Sequence, residues 1–131
     1  MELPIRLSKE SRVPIYHQIE GQIKALIASG VLPAGSPLPS IRSLSKDLEV
    51  SVITTRRAYQ DLEYKGFITT IQGKGTFVAE VAESEKSDVK HSSVYQALEN
   101  GIRTAMSYDC TLEEIEEIFH KVVEKIKNGE E

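Results

Sequence analysis

The sequence predicts a mainly α fold with one small β hairpin, and three observations carry that prediction. Residues 38–66 read as two short helices joined by one tight turn. Ile41, Leu44 and Leu48 recur at spacings of three and four, and Ala58, Tyr59 and Leu62 make a second stripe. Directly after them, residues 67–71 and 76–79 are β-branched and aromatic runs on either side of Gln72-Gly-Lys-Gly75. Residues 92–127 then return to helical periodicity, broken only at Tyr108-Asp-Cys110. Two tightly joined helices followed by a hairpin describe a winged helix-turn-helix. The expected organisation is such a domain over residues 1–79, a linker over 80–91 and a two-helix dimerisation hairpin over 92–131.

In chain order, Ile5 and Leu7 alternate with polar neighbours and predict a short strand or a clip onto the core. Pro14 opens the first helix, where a missing N–H costs nothing. Ile15, Ile19, Ile23, Leu26 and Ile27 give that helix one apolar stripe, and Gly30 ends it. His17 is read as structural or solvated rather than as a ligand. Residues 31–39 form a connector punctuated by proline and glycine, with Leu38 packing inward in a short strand beside the wing.

Ser40 and Ser51 have the side chains of N-caps, Glu49-Val50 makes the turn, and Gly66 stands where a left-handed residue would end the second helix. In a helix-turn-helix the second helix enters the DNA major groove. If Thr55, Ala58, Tyr59 and Leu62 face the core, then Val52, Ile53, Arg56 and Gln60 share the outer face, with Arg57 at its edge. Arginines, an amide and aliphatics suit a groove that offers acceptors, phosphates and thymine methyls. The plainer alternative makes Arg56 and Arg57 solvated surface residues. Arg42 lies near the free N–H groups of the first of the two helices, where it could reach a phosphate or a base edge, or else pair with Asp47 or Glu49. Lys74 sits at the wing tip between Gly73 and Gly75, which let the backbone approach a phosphate closely.

Residues 81–91 are polar and charged and read as a linker or as the frayed entry to the next helix. Ser92 or Ser93 is then expected to cap a helix with Val94, Leu98, Ile102 and Ala105 on one face. Gly101 costs that helix about 1 kcal/mol against alanine, a cost that suits close approach of another helix. Thr111 and Glu114 form a capping box for the last helix, where glutamates lead and lysines follow, in the order that complements the macrodipole. Its stripe of Leu112, Ile115, Ile118, Phe119, Val122, Val123 and Ile126 is more apolar surface than one hairpin hides. A second copy is the simplest cover, giving an interface of Val94, Leu98, Ile102, Ile115, Ile118, Phe119, Val122 and Ile126. The alternative folds the hairpin back onto its own N-terminal domain.

Taken together, Pro14-Ile-Tyr-His-Gln-Ile19, residues 35–44, Val50-Ser51, Thr54-Thr-Arg-Arg-Ala-Tyr59, Leu62-Glu63, Lys65-Gly66 and Gly73-Lys-Gly-Thr-Phe-Val78 resemble the GntR-type bacterial transcription regulators. The short tail looks like the YtrA-like branch, which lacks a large effector domain. The resemblance covers about residues 10–79. It implies DNA contacts at Ser40, Arg42, Arg56, Gly73 and Gly75, and repression lifted by a small molecule or a stress signal. Ile41 stands where many members carry an acidic residue, and Val52 where many carry arginine.

The formal net charge is −4 over 131 residues, which by itself does not suit a nucleic-acid binder. The charge is unevenly spread. Residues 1–78 hold ten Lys/Arg against seven Asp/Glu, and residues 79–131 hold six against thirteen. The basic excess lies on the half expected to meet phosphate. The single cysteine, Cys110, forms no intrachain disulfide and suits a reducing cytoplasm. The N-terminus has no signal-peptide pattern, and no apolar run approaches the roughly 18 residues of a membrane span. His17, His91, His120 and Cys110 lack metal-ligand spacing, and no nucleophile motif, phosphate loop or dinucleotide fingerprint occurs, so no metal, cofactor or catalysis is expected.

The expected function is therefore that of a cytoplasmic, homodimeric repressor on a palindromic operator in double-stranded DNA, open to a small-molecule effector. The DNA-contacting residues would be Ser40, Arg42, Thr54, Arg56, Arg57, Gly73, Lys74 and Gly75. The alternative is a winged-helix module that binds protein through the same face without specific DNA binding.

Overall fold

The computed structural model describes residues 3–129; the outermost ends of the expected domains, Met1, Glu2, Glu130 and Glu131, lie outside them. In order, the elements are α1 (Ile15–Ala28), β1 (Pro37–Leu38), α2 (Ile41–Leu48), α3 (Val52–Tyr64), β2 (Ile68–Ile71), β3 (Gly75–Val78), α4 (Glu83–Met106) and α5 (Leu112–Lys127). The chain divides into two compact units between Lys90 and His91.

In the first unit, Ile19, Ile23 and Ile27 of α1 meet Leu44 of α2, Ala58, Tyr59 and Leu62 of α3, and Ile68 and Val78 of the sheet in one core. The three strands are antiparallel in the order β1-β3-β2. Leu38 pairs opposite Thr76 and is buried, so the connector supplies a third strand to the wing. The N-terminal segment forms a clip and no strand. Ile5 is buried, and its neighbours bond to side chains of α1 where a strand would bond to backbone. Gln22 Oε1 accepts from Arg6 N (2.9 Å) and its Nε2 donates to Arg6 O (2.7 Å). Gln18 treats Ser8 in the same way, at 2.8 and 2.9 Å.

Glu49 takes a left-handed φ of 57° between α2 and α3, and its N–H donates to Lys46 O (3.3 Å). Inside the motif, Ser45 Oγ donates to Thr55 Oγ1 at 2.8 Å, a buried bond that joins the two helices. Helical periodicity does not mark Glu20 as a buried residue. Its side chain is 1% exposed on α1 and holds Lys24 at 3.3 Å and Lys65, the C-cap of α3. Burial pushes the Glu20 carboxyl up, but the Lys65 hydrogen bond and the two lysine charges outweigh it, and the group is held below the ordinary carboxylate range. The Lys65 ammonium is raised by the same hydrogen bond, against an opposing effect of burial.

The helix expected to start at Ser92 or Ser93 starts at Glu83, so both serines lie inside α4, and the residues read as a linker or frayed entry are helical from that point. Two causes explain the difference. Glu83 and Glu85 in the first turn favour the helix dipole, and Val89 packs against the core of the first unit, so a polar composition still forms a helix. In the second unit α5 carries the predicted capping box, with Glu114 N donating to Thr111 Oγ1 and Thr111 N to Glu114 Oε1, both at 3.1 Å. No residue of α5 is buried.

Candidate nucleic-acid interface

The interface begins with the two N-caps. Ser40 Oγ accepts from Ser43 N at 3.0 Å, which leaves its own hydrogen free to donate. Ser51 Oγ accepts from Thr54 N at 3.1 Å and lies 2.9 Å from Thr54 Oγ1, so Thr54 is part of the cap of α3. Arg42 is exposed and makes no ion pair with Asp47 or Glu49 among the described residues. Its position, the second residue of α2, leaves the guanidinium free.

On α3 the buried residues are Thr55, Ala58, Tyr59 and Leu62, the four expected. Arg56 and Gln60 are exposed, Ile53 is 77% exposed, and Val52 is half-buried. Arg56 likewise has no acidic partner among the described residues. Arg57 differs from Arg56. Its guanidinium carbon lies 3.8 Å from the centroid of the Tyr16 ring, on α1, while the residue stays exposed. Adjacent on the helix, the two arginines thus point to separate surroundings.

The wing is fixed to α3 through Thr70 Oγ1, which donates to Glu63 Oε1 at 3.0 Å. At its tip Gly73 has φ 80° and Gly75 φ 122°, values that suit glycine. Lys74 N donates to Ile71 O at 2.9 Å, and its side chain is exposed. The predicted site residues thus fall in three groups: Ser40 and Arg42 at the start of α2, Thr54, Arg56 and Arg57 on the first half of α3, and Gly73, Lys74 and Gly75 at the wing tip. Neither the Tyr16–Arg57 contact nor the Glu63–Thr70 tie follows from periodicity or capping in the sequence. Tyr16 stood in view beside Pro14, but a contact across forty residues of chain leaves no local signal.

The family model for bacterial regulatory proteins of the gntR family matches residues 15–78, from the start of α1 to the end of β3. The transcriptional repressor YtrA of Bacillus subtilis is 31% identical over 125 residues, covering 95% of this chain and 96% of that one. The chain belongs to the GntR family. Its likeness to YtrA runs through the C-terminal hairpin, so this is a YtrA-like GntR regulator. A GntR-family transcriptional regulator from Listeria monocytogenes has the same fold, with a TM-score of 0.68 at 30% identity over 88% of this chain and 98% of that one. The DNA-binding domain of AraR, solved in complex with operator ORX1, matches at a TM-score of 0.53 and 29% identity over 60% of this chain and 99% of that one.

This GntR protein is a DNA-binding transcription regulator and not an enzyme. Among the described residues no group of His, Cys, Asp or Glu could hold a metal ion, and no helix is long and apolar enough to cross a membrane. In the second unit of this GntR chain, Val94, Leu98, Ile102, Ile118, Phe119, Val122 and Ile126 are 40–63% exposed, and Ile115 is half-buried. Between α4 and α5 a groove of about 240 Å³ is lined by apolar residues, among them Ala97, Gly101 and Ala105 on α4 and Phe119 on α5. Among the described residues, a Cβ added at Gly101 would meet nothing within 4 Å, so the close helix contact expected at this glycine is not made within the single chain.

Proposed function

We propose that this regulator is a homodimeric repressor that reads a palindromic operator, with α3 in the major groove and the wing against the backbone. The observation that carries the reading is the outer face of α3, where Ile53, Arg56 and Gln60 stand in solvent opposite a fully buried stripe. Arg56 would reach base edges or phosphate, Arg42 and Ser40 the backbone beside the start of α2, and Lys74 the phosphates under the wing, with Gly73 and Gly75 giving the backbone access. Thr54 would support the start of α3 through its bond to Ser51.

The hairpin of α4 and α5 would form the dimer through Val94, Leu98, Ile102, Ile115, Ile118, Phe119, Val122 and Ile126. Half-exposed apolar side chains along both helices support that reading, as does open space at Gly101. A small-molecule effector would have the groove between these helices as its seat and would alter the spacing of the two α3 helices. We place the action in the cytoplasm, where a bacterial operator is found.

The test is fluorescence anisotropy with DNA from upstream of the gene that encodes the protein, beside a scrambled duplex, at two salt concentrations. Affinity about a thousandfold higher for the first duplex is the expected result, with a steep salt slope on both. Absence of binding to either duplex at low salt would overturn the reading in favour of a protein-binding module.

A further inference from the structure

We propose that Tyr16 is a positioning residue for DNA binding, a flat support on α1 that holds the Arg57 guanidinium against a backbone phosphate. The inference rests on the reading that α3 enters the groove. Arg57 has a long side chain, is exposed, and makes no ion pair among the described residues. Such a side chain normally samples many rotamers, and a phosphate contact from it costs the entropy of ordering. Here the guanidinium already lies over an aromatic face, 3.8 Å from its centroid. A cation stacked on a ring keeps its N–H groups at the rim of the plane, free to donate in the bidentate fashion that phosphate accepts.

Tyr16 is itself held in place. It is half-buried against the core, and the His17 ring meets it edge-on at 6.4 Å and 74°. Its hydroxyl makes no hydrogen bond among the described residues, so the ring and not the phenol carries the contact with Arg57. The stack ties the start of α1 to the first half of α3 at the edge of the outer face that Ile53, Arg56 and Gln60 form. A cation fixed at the edge of a recognition face meets the sugar–phosphate rail, whereas one at its centre meets bases. Arg57 would thus add affinity for DNA of any sequence, and Tyr16 would set how much.

The experiment is a double-mutant cycle read by anisotropy on the operator and on a scrambled duplex, using the full chain. Tyr16→Leu should weaken both duplexes by about tenfold, and Arg57→Met should weaken both by a similar or larger factor and lower the salt slope by about 0.9 for each protomer bound. Combined with Arg57→Met, Tyr16→Leu should cost nothing further, because its effect passes through the missing guanidinium. Tyr16→Phe keeps the ring and should bind within about twofold of the parent. Additive losses would overturn the inference, as would a loss in Tyr16→Phe equal to that in Tyr16→Leu, which would mark a direct hydroxyl contact. Arg56→Ala is measured beside them. If it loses operator binding while the cycle is additive, only the role of Tyr16 falls; if it binds as the parent does, the recognition face falls with it.

Discussion

Tyr59 Oη donates a 2.6 Å hydrogen bond to the carbonyl oxygen of Pro39, the residue before the N-cap of α2. The bond joins the middle of α3 to the entry of α2. It also explains how a phenol can sit 4% exposed in the core, because its one donor is satisfied. Burial raises the Tyr59 phenol above its ordinary pKa, so the group stays a neutral donor throughout the physiological range.

Tyr59→Phe should therefore destabilise the first unit by about 1 kcal/mol, since it leaves a half-buried carbonyl without its partner. Urea denaturation followed by circular dichroism checks this. Operator affinity should fall along with stability, because Pro39 sets the position of Ser40 and Arg42. Unchanged stability would mean that water replaces the phenol at Pro39.

Arg56→Ala should abolish specific operator binding while leaving the oligomeric state intact. A contact of this kind to a base or phosphate is worth about 1–3 kcal/mol at one site, and a palindrome counts it twice. Anisotropy and sedimentation on the same sample separate the two properties. Full operator affinity in this variant would remove Arg56 from the interface.

Phe119→Asp should convert the proposed dimer to monomer and weaken operator binding without altering the fold of the first unit. A buried, unpaired carboxylate costs several kcal/mol in an apolar interface. In solvent, where Phe119 is 48% exposed in the single chain, it costs little. Gly101→Leu is a second probe. Leucine favours a helix over glycine by about 0.8 kcal/mol, and no described atom lies within 4 Å of a Cβ added there. Greater thermal stability with weaker association would show that another copy packs at Gly101. Sedimentation velocity reads both variants.

Stability should fall on acidification through loss of the Glu20 charge. Its carboxyl has a lower pKa folded than unfolded, so its contribution is complete above the unfolded value and disappears as pH drops through the folded one. Lys65 is shifted upward, so its share is complete below its unfolded value and is lost only as strong alkali takes it through its folded value. The ion pair thus acts at full strength at neutral pH. Glu20→Gln should cost about 1–2 kcal/mol there, discounted because Lys65 is 43% exposed. The difference from the parent should shrink towards acid. Urea midpoints between neutral and acidic pH test it, and a pH-independent difference would assign the effect to packing.

Much of this protein was legible in one dimension because the deciding interactions are local. The caps at Ser40, Ser51 and Thr111 bond to backbone three residues on. The stripes Ile19-Ile23-Ile27 and Ala58-Tyr59-Leu62 follow helical period, and the turns at Glu49 and Gly73 fall in the short breaks between α2 and α3 and between β2 and β3. Even the third strand at Leu38 could be anticipated from an apolar residue between two prolines. The start of α4 was not legible. Composition marked residues 81–91 as polar, whereas packing of Val89 on a distant core favours a helix there.

The sequence by itself determined the winged helix-turn-helix, its outward arginines and the surplus apolar face of the hairpin, because periodicity and capping act over a turn or two of chain. Only the tertiary structure decided which side chains meet across it. Glu20 with Lys65, Tyr59 with Pro39, Thr70 with Glu63 and Tyr16 with Arg57 are pairs between different elements. Their partners are set by how helices and strands pack, and packing in three dimensions leaves no periodic trace in the order of residues.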